Sequence, residues 1–346
     1  MKNKIFALLF AFVFIAHSSG IALAGSNLAT SQDDLISLLP ASDGVMTLNA
    51  RKLFGEALPT ILASNPTLLS EILSKVDEIQ SKTGIDFRKF DQVAIGIAMK
   101  RVKVNEIDFD PVLVARGNFS SGGLVSVVKL ASNGTYREEK IGDRTVYVFS
   151  AKDIAAKNAP KSNSSLVTRM IGRAIDGLTK EVALTALDGN TLTLGSLARV
   201  RATVEAKTRV EAEISAQVRR KPSSIMSFAV RTPDGLSSFI PLDNDELGKN
   251  VDSIRYVTGS LDVVSGNGVL QLAAKTMKAE QAQGLLETLE GLQILGKALL
   301  GSSGGTDKQV YARMIDNAKI TRSGSEVMLD LQVPKSDMDV LVGAKK

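Results

Sequence analysis

Two short motifs in this chain could do chemistry together. Ser126-Val127-Val128-Lys129 is an S-x-x-K, and Lys82-Thr83-Gly84 is a K-T-G. In serine acyl-transfer enzymes of the penicillin-recognising kind, these elements let lysine chemistry, rather than a histidine, activate the nucleophilic hydroxyl. The order here is reversed, because K-T-G follows S-x-x-K in those enzymes. Gly84 also falls where a helical pattern ends, and a glycine there reads as an ordinary helix stop.

The acidic residues offer a second chemistry. Glu106, Asp108 and Asp110 alternate, so an extended strand would place them on one face, as a hard cation such as Ca²⁺ requires. They precede Pro111, in an expected connection between strands, and a solvated hairpin end accounts for them more simply. Asp243-Asn244-Asp245-Glu246-Leu247-Gly248 begins like a calcium loop but has Leu247 and Ile254 where the fifth and twelfth positions call for ligands. A carboxylate pair for glycoside hydrolysis is assembled in space and leaves no sequence signature. The chain has no Trp and four Tyr, so it has little material for sugar platforms.

The remaining catalytic side chains are scarce. There is no Cys, and the one histidine, His17, lies in a segment that reads as a secretory leader over residues 1–24. Lys2 and Lys4 precede an apolar run from Ile5 to Ala16, and Ala22-Leu23-Ala24 is a small-x-small cleavage pattern. Cleavage is expected between Ala24 and Gly25. The run is shorter than the roughly 20 residues that span a bilayer. The expected mature chain has no transmembrane segment, and without a cysteine at the cut it is not lipid-anchored. It lacks imidazole and thiol, which argues against zinc hydrolases, cysteine proteases and Ser-His-Asp enzymes. No cofactor is expected, and no catalytic, cofactor-binding or metal-ligating residue is assigned.

About 322 mature residues are enough to bury a core without disulfides. With Lys2 and Lys4 removed, the net charge is about +3, which gives no case for nucleic acid. Arg219-Arg220-Lys221 could face an anionic surface, but cations also suit a helix C-terminus. Gly301-Ser302-Ser303-Gly304-Gly305 lacks the Lys-Ser/Thr ending of a phosphate loop and reads as a linker.

The elements that must position these residues alternate along the chain. Residues 25–36 read as a flexible arm. The first pass has a strand at 43–50 and helical spacing from Leu58 to Ile79, interrupted at Asn65-Pro66. Strands follow at Gln92–Met99 and Pro111–Phe119, then a helix from Ser121. A hairpin is expected over 134–149, a helix over Leu166–Leu178, and a second hairpin around Asp188-Gly189-Asn190 with positive φ available in its turn. A long helix over Leu197–Val218 closes the pass. The second pass has a strand at Ile225–Arg231, a helix within 235–248, and strands at 253–262 and 268–276. Next come a helix over 279–300 with Leu285, Leu289, Leu292 and Leu299 on one stripe, a short helix at Gln309–Ile315 and a hairpin into the alternating strand Val327–Val333. A last helix is capped near Ser336.

With 134–178 set aside as an insertion, both passes read β-α-β-β-α-β-β-α. The expected fold is α+β: two related modules, 37–222 and 223–346, with mostly antiparallel sheets and helices packed on one face. A tandem duplication would explain the repeat, and one large α+β domain would also fit.

Several segments resemble those of uncharacterised secreted bacterial proteins. They include Leu38-Leu39-Pro40-Ala41-Ser42-Asp43, Thr83-Gly84-Ile85-Asp86, Ala115-Arg116-Gly117-Asn118-Phe119 and Gly142-Asp143-Arg144-Thr145-Val146-Tyr147. The resemblance runs over about the first 200 residues and implies an exported bacterial protein, with no catalytic residue to transfer. The combined expectation is a periplasmic or extracellular, non-catalytic binding or envelope-associated protein. Its partner would be an envelope protein or a small apolar ligand. The alternative is a hydrolase using a Ser/Lys or carboxylate-pair site.

Overall fold

The computed structural model describes residues 32–103, 106–132, 134–150, 181–239, 245–301 and 306–343. The expected leader with its cut at Ala24–Gly25, the expected helix Leu166–Leu178 and residues 302–305 of the Gly/Ser stretch lie outside these. The chain is α+β and divides into two compact units. One comprises Asn27–Arg51 and Ser70–Pro222; the other includes Lys52–Leu69 and Ser223–Lys346. Among the described residues no helix is long and apolar enough to cross a membrane.

The first unit opens with helix α1 (Gln32–Leu38), which occupies the end of the stretch expected to be a loose arm. Leu35 and Ile36 are buried, and their apolar contacts repay the ordering of the turn. Its sheet runs β1 (Gly44–Asn49), β2 (Phe90–Lys103), β3 (Glu106–Gly117), β7 (Thr191–Gly195), β6 (Glu181–Ala186), β5 (Arg144–Ser150) and β4 (Tyr136–Ile141), all neighbours antiparallel. After β1 come the short helical segments Ala50–Lys52, Leu53–Ala57 and Leu58–Ile61, most of which fall in the other unit, and α2 (Pro66–Thr83), which enters this unit at Ser70; α3 (Ser121–Ala131) follows β3 and α4 (Leu197–Glu205) follows β7. Val200 of α4 packs with Ile141, Val146, Val148 and Ala183. Lys129 of α3 lies instead over the ring of Tyr147. Tyr147 and Val148 point to opposite sides of β5, so these two helices take opposite faces.

β2 and β3 are longer than expected. β1 accompanies β2 only as far as Ile97, and β7 meets β3 only from Val112. Among the described residues the outer ends, Ala98–Lys103 and Glu106–Asp110, pair with each other and with no other strand. Pro111 lies inside β3, opposite Ile97, and not in a connection. The Ile97 carbonyl accepts the Asp43 amide at 2.8 Å, so Ile97 directs its polar groups toward β1 and Pro111 directs its own away from β2. The missing proline N–H therefore falls just beyond the last β7 pair and costs no ladder bond.

The long helix expected over Leu197–Val218 is two helices. α4 ends with Ala206 in the left-handed conformation (φ 57°), and α5 (Ala212–Val218) starts after an extended Glu211. The Asp188-Gly189-Asn190 turn closes without positive φ; the Asp188 carboxylate accepts the Asn190 amide at 3.0 Å.

The second unit has the sheet order β8 (Met226–Arg231), β9 (Ile254–Val264), β10 (Asn267–Thr276), β12 (Glu326–Val333) and β11 (Lys319–Ser323). α6 (Asp245–Asp252) lies between β8 and β9 in the chain, α7 (Ala279–Gly301) and α8 (Thr306–Asn317) between β10 and β11, and α9 (Lys335–Leu341) after β12. This order corresponds strand for strand to β1-β2-β3-β7-β6 of the first unit. Ala282 and Leu285 of α7 pack on Val327, Ala274 and Ile320, while Met338 of α9 packs on Leu331 and Val333. Leu292 is 46% exposed and leaves the buried stripe on which its spacing placed it. The last helix is preceded by Pro334, which makes no side-chain cap, and Ser336 lies within its first turn.

Candidate functional site

The first unit carries a cleft of about 350 Å³ beside the β4–β5 hairpin. One wall is a face of α3, with Gly122, Val125, Ser126 and Lys129 at helical spacing. The other consists of Asp143, Arg144, Thr145 and Tyr147 at the start of β5 and Thr185 and Ala186 at the end of β6.

The cleft follows from how these elements form. Ser120 caps α3 by accepting the Gly123 amide at 3.2 Å, and Ser121 donates to the Asp188 carbonyl. The tight turn at Gly142 (φ 62°) returns the chain into β5. Among the described residues β5 and β6 pair from Tyr147–Leu184 to Ser150–Glu181. Beyond Tyr147 they separate, and side chains replace the ladder. Thr185 Oγ1 donates to the Thr145 carbonyl at 2.8 Å, and Arg144 Nη1 donates to the Ala186 carbonyl at 3.0 Å.

Ser126 and Lys129 both line this cleft, yet they do not form an activated pair. Ser126 Oγ donates back to the Gly122 carbonyl at 2.9 Å. Lys129 Nζ lies 4.4 Å from the centre of the Tyr147 ring and 4.9 Å from that of Tyr136, with Glu138 at 3.3 Å. The hydrogen bond with Tyr136 holds the ammonium above the ordinary lysine range; burial opposes this, and Glu138 and Tyr147 reinforce it. A lysine base needs the opposite shift. Gly84 of the K-T-G is a helix stop. Its φ is 68°, its amide bonds the Gln80 carbonyl at 2.7 Å, and a Cβ there would lie 2.2 Å from Val127 Cγ1. The side chains of Lys82 and Thr83 lie outside the described residues.

The acidic triplet is not brought together as a cation site. Register places Asp108 opposite Lys100 and Glu106 opposite Lys103 on the β2–β3 ribbon. Asp110 Oδ2 accepts a hydrogen bond from Ser196 Oγ at 3.1 Å instead. Asp245 begins α6, whose helical backbone removes the calcium-loop geometry, and Asp243 and Asn244 lie outside the described residues. Among the described residues no three His, Cys, Asp or Glu side chains are placed to hold a metal ion. Arg219 caps α5, so the basic run does sit at a helix C-terminus.

A second polar cluster was not singled out in the sequence. Arg199, 8% exposed, donates from Nη1 to the Ala41 carbonyl at 2.7 Å and from Nη2 to Ser42 Oγ at 2.6 Å. Arg209 donates to the Leu38 carbonyl at 2.9 Å. Two arginines thus clamp the Leu38–Asp43 segment. Burial lowers the Arg199 pKa, against the attraction of Asp110 and Asp43. Gly96 makes room for this contact, since a Cβ there would lie 2.5 Å from Ser42 Oγ. Tyr147 of the cleft and Tyr136, diagonal to it across the hairpin, were visible in the sequence only as strand residues.

No family model matches the chain, and no curated protein matches it. Solved structures of TP0453 are similar at low identity. Crystal form III has a TM-score of 0.45 and 9% identity, covering 90% of this chain and 98% of that one. Form IV has 0.44 and 9%, covering 92% and 99%, and form I has 0.42 and 8%, covering 89% and 96%. Likeness at this level carries no functional argument.

Proposed function

We propose that this chain is an exported, non-catalytic binding protein of the periplasm or extracellular space, with the α3/β5/β6 cleft as its ligand site. The observation that carries the reading is the state of Ser126 and Lys129. They occupy a cleft of ligand-binding size, but with the serine proton committed to a carbonyl and the lysine held charged. Such groups can recognise a ligand and are poorly arranged to attack one. Among the described residues lining the cleft Asp143 is the one carboxylate, so they do not supply the facing pair that glycoside hydrolysis uses. The small apolar ligand expected from composition does not suit so polar a wall.

Export rests on the leader pattern of residues 1–24. Descent from a duplicated module is supported by the matching strand orders β1-β2-β3-β7-β6 and β8-β9-β10-β12-β11. Native mass spectrometry of the chain recovered from the envelope fraction of its own host tests the proposal. The expected species begins at Gly25 and carries a small molecule lost on Tyr147→Ala substitution. Recovery of an uncut chain from the cytoplasm would overturn export. Turnover of a substrate abolished by Ser126→Ala would overturn the non-catalytic reading.

A further inference from the structure

The cleft has an uneven stock of donors and acceptors. Its wall carbonyls are largely engaged from within. Gly122 receives Ser126 Oγ, Thr145 receives Thr185 Oγ1 and Ala186 receives Arg144 Nη1. The hydroxyls that do this have spent their protons. The donors are differently placed. Thr145 Oγ1 accepts from Lys140 Nζ at 2.8 Å, which leaves its own proton to give. Arg144 uses one N–H on Ala186 and has further donors in its fork. Lys129 packs over two ring faces and is hydrogen-bonded to Tyr136 and, at 3.3 Å, to Glu138, so its ammonium has a third N–H to give. Its one carboxylate neighbour, Glu138, stands at 3.3 Å and is half exposed, so a competing anion can displace it at little cost. Lys129, Arg144 and the adjoining Lys140 outnumber Asp143 and Glu138 around the cleft.

We propose, resting on the binding reading above, that the ligand of this cleft is a small organic oxyanion, a carboxylate or phosphate monoester, with Lys129 as its counter-ion and Thr145 and Arg144 as hydrogen-bond donors. A neutral, acceptor-poor ligand would leave these half-exposed donors to water and gain little from them. Charge-assisted N–H···O bonds are the stronger kind and favour the anion.

The test uses the full chain titrated with glucuronate, glucose 6-phosphate, inorganic phosphate and glucose, followed by calorimetry and by chemical-shift changes at Tyr147 and Lys129. Binding of an organic anion is expected, weakened at least about tenfold by Lys129→Gln and severalfold by Thr145→Val, and weakened by salt. Glucose bound at Tyr147 as tightly as glucuronate would overturn the anion assignment and leave the binding reading standing. Binding of inorganic phosphate as tight as that of either organic anion would show a simple ion site and overturn the organic class. Shifts at neither residue with any probe would count against both. Lys129 is at the surface, so loss of folding is not expected; unchanged circular dichroism of Thr145→Val provides the control.

Discussion

Replacing Arg199 by Met tests whether the clamp on Leu38–Asp43 holds α4 to the start of the first sheet. The side chain gives two short charge-assisted hydrogen bonds, to Ala41 and Ser42. Bonds of that kind contribute about 1.5–3 kcal/mol each. Methionine keeps most of the buried stem, so the loss is chiefly polar. Ser42 Oγ still donates to the Pro40 carbonyl at 2.8 Å, whereas the Ala41 carbonyl loses its guanidinium partner. Asp110 retains Ser196 but loses the nearby positive charge. Removing one partner of a buried charge arrangement costs about 3–5 kcal/mol. Because Asp110 is only partly buried, a net loss of about 2–4 kcal/mol is expected.

Urea unfolding followed by circular dichroism gives the magnitude, and hydrogen exchange over residues 38–43 gives the place. Exchange there should accelerate by about thirtyfold to several hundredfold if opening is local. Arg199→Lys keeps the charge but not the fork and should lose about half as much. Asp110→Asn placed on top of Arg199→Met should recover about 1 kcal/mol or more, since it removes the stranded carboxylate. A loss below about 0.5 kcal/mol for Arg199→Met, or no recovery in the double variant, would refute the clamp.

Three further outcomes follow from local geometry. Ala206→Gly should stabilise the chain by about 0.5–1 kcal/mol in the same unfolding assay, because relief of a left-handed alanine exceeds the added glycine entropy. Gly259→Ala should destabilise by about 1–3 kcal/mol, since the new Cβ would lie 2.5 Å from the Phe228 ring and 2.7 Å from Leu272; a neutral result would show that the ring moves freely. Burial raises the Asp339 carboxyl, but hydrogen bonds from Ser64 and Lys335 and the Lys335 charge outweigh this and hold it below its ordinary value of 3.8. Its contribution is therefore present above about pH 4 and is lost as pH falls through the lower folded value, so Ser64→Ala should flatten stability against pH in that acid range.

Much of the fold was legible because its signals are local. Val327, Leu329, Leu331 and Val333 alternate and form β12; Gly142 and Gly324 sit at tight turns with positive φ. The ends of β2 and β3 were missed because the ribbon beyond Ile97 and Val112 lacks lateral partners. Lys100, Arg101 and Lys103 show none of the burial that makes a strand visible. The break at Ala206 carries neither Gly nor Pro, so propensity alone extends the helix across it. Arg199 reads as a surface position on an amphipathic helix, and only the tertiary contact with Ala41 and Ser42 reveals it as buried. The cleft was half legible. The spacing of Ser126 and Lys129 put them on one helical face, but the rings that neutralise the lysine as a base come from Tyr136 and Tyr147 across a hairpin.

The position of the cleft within the repeated strand order bears on why it is there. β1, β2, β3, β7 and β6 have counterparts in β8, β9, β10, β12 and β11, whereas β4 and β5 do not. In chain order the second unit has α7 and α8 where the first has α3 and this hairpin. Among the described residues the hairpin joins the sheet through four residue pairs between β5 and β6, diverges beyond Tyr147, and side chains there satisfy the freed carbonyls. A hairpin at a sheet edge is not obliged to continue the ladder, and where it departs it opens a recess lined with side chains. The strand order that the two units share supplies rigidity, and the unshared hairpin supplies Asp143, Arg144, Thr145 and Tyr147. Recognition is therefore expected to follow the hairpin. Exchanging those four side chains should change which probe binds while leaving the unfolding midpoint close to that of the parent chain, and a collapse of the fold on that exchange would show the hairpin to be structural instead.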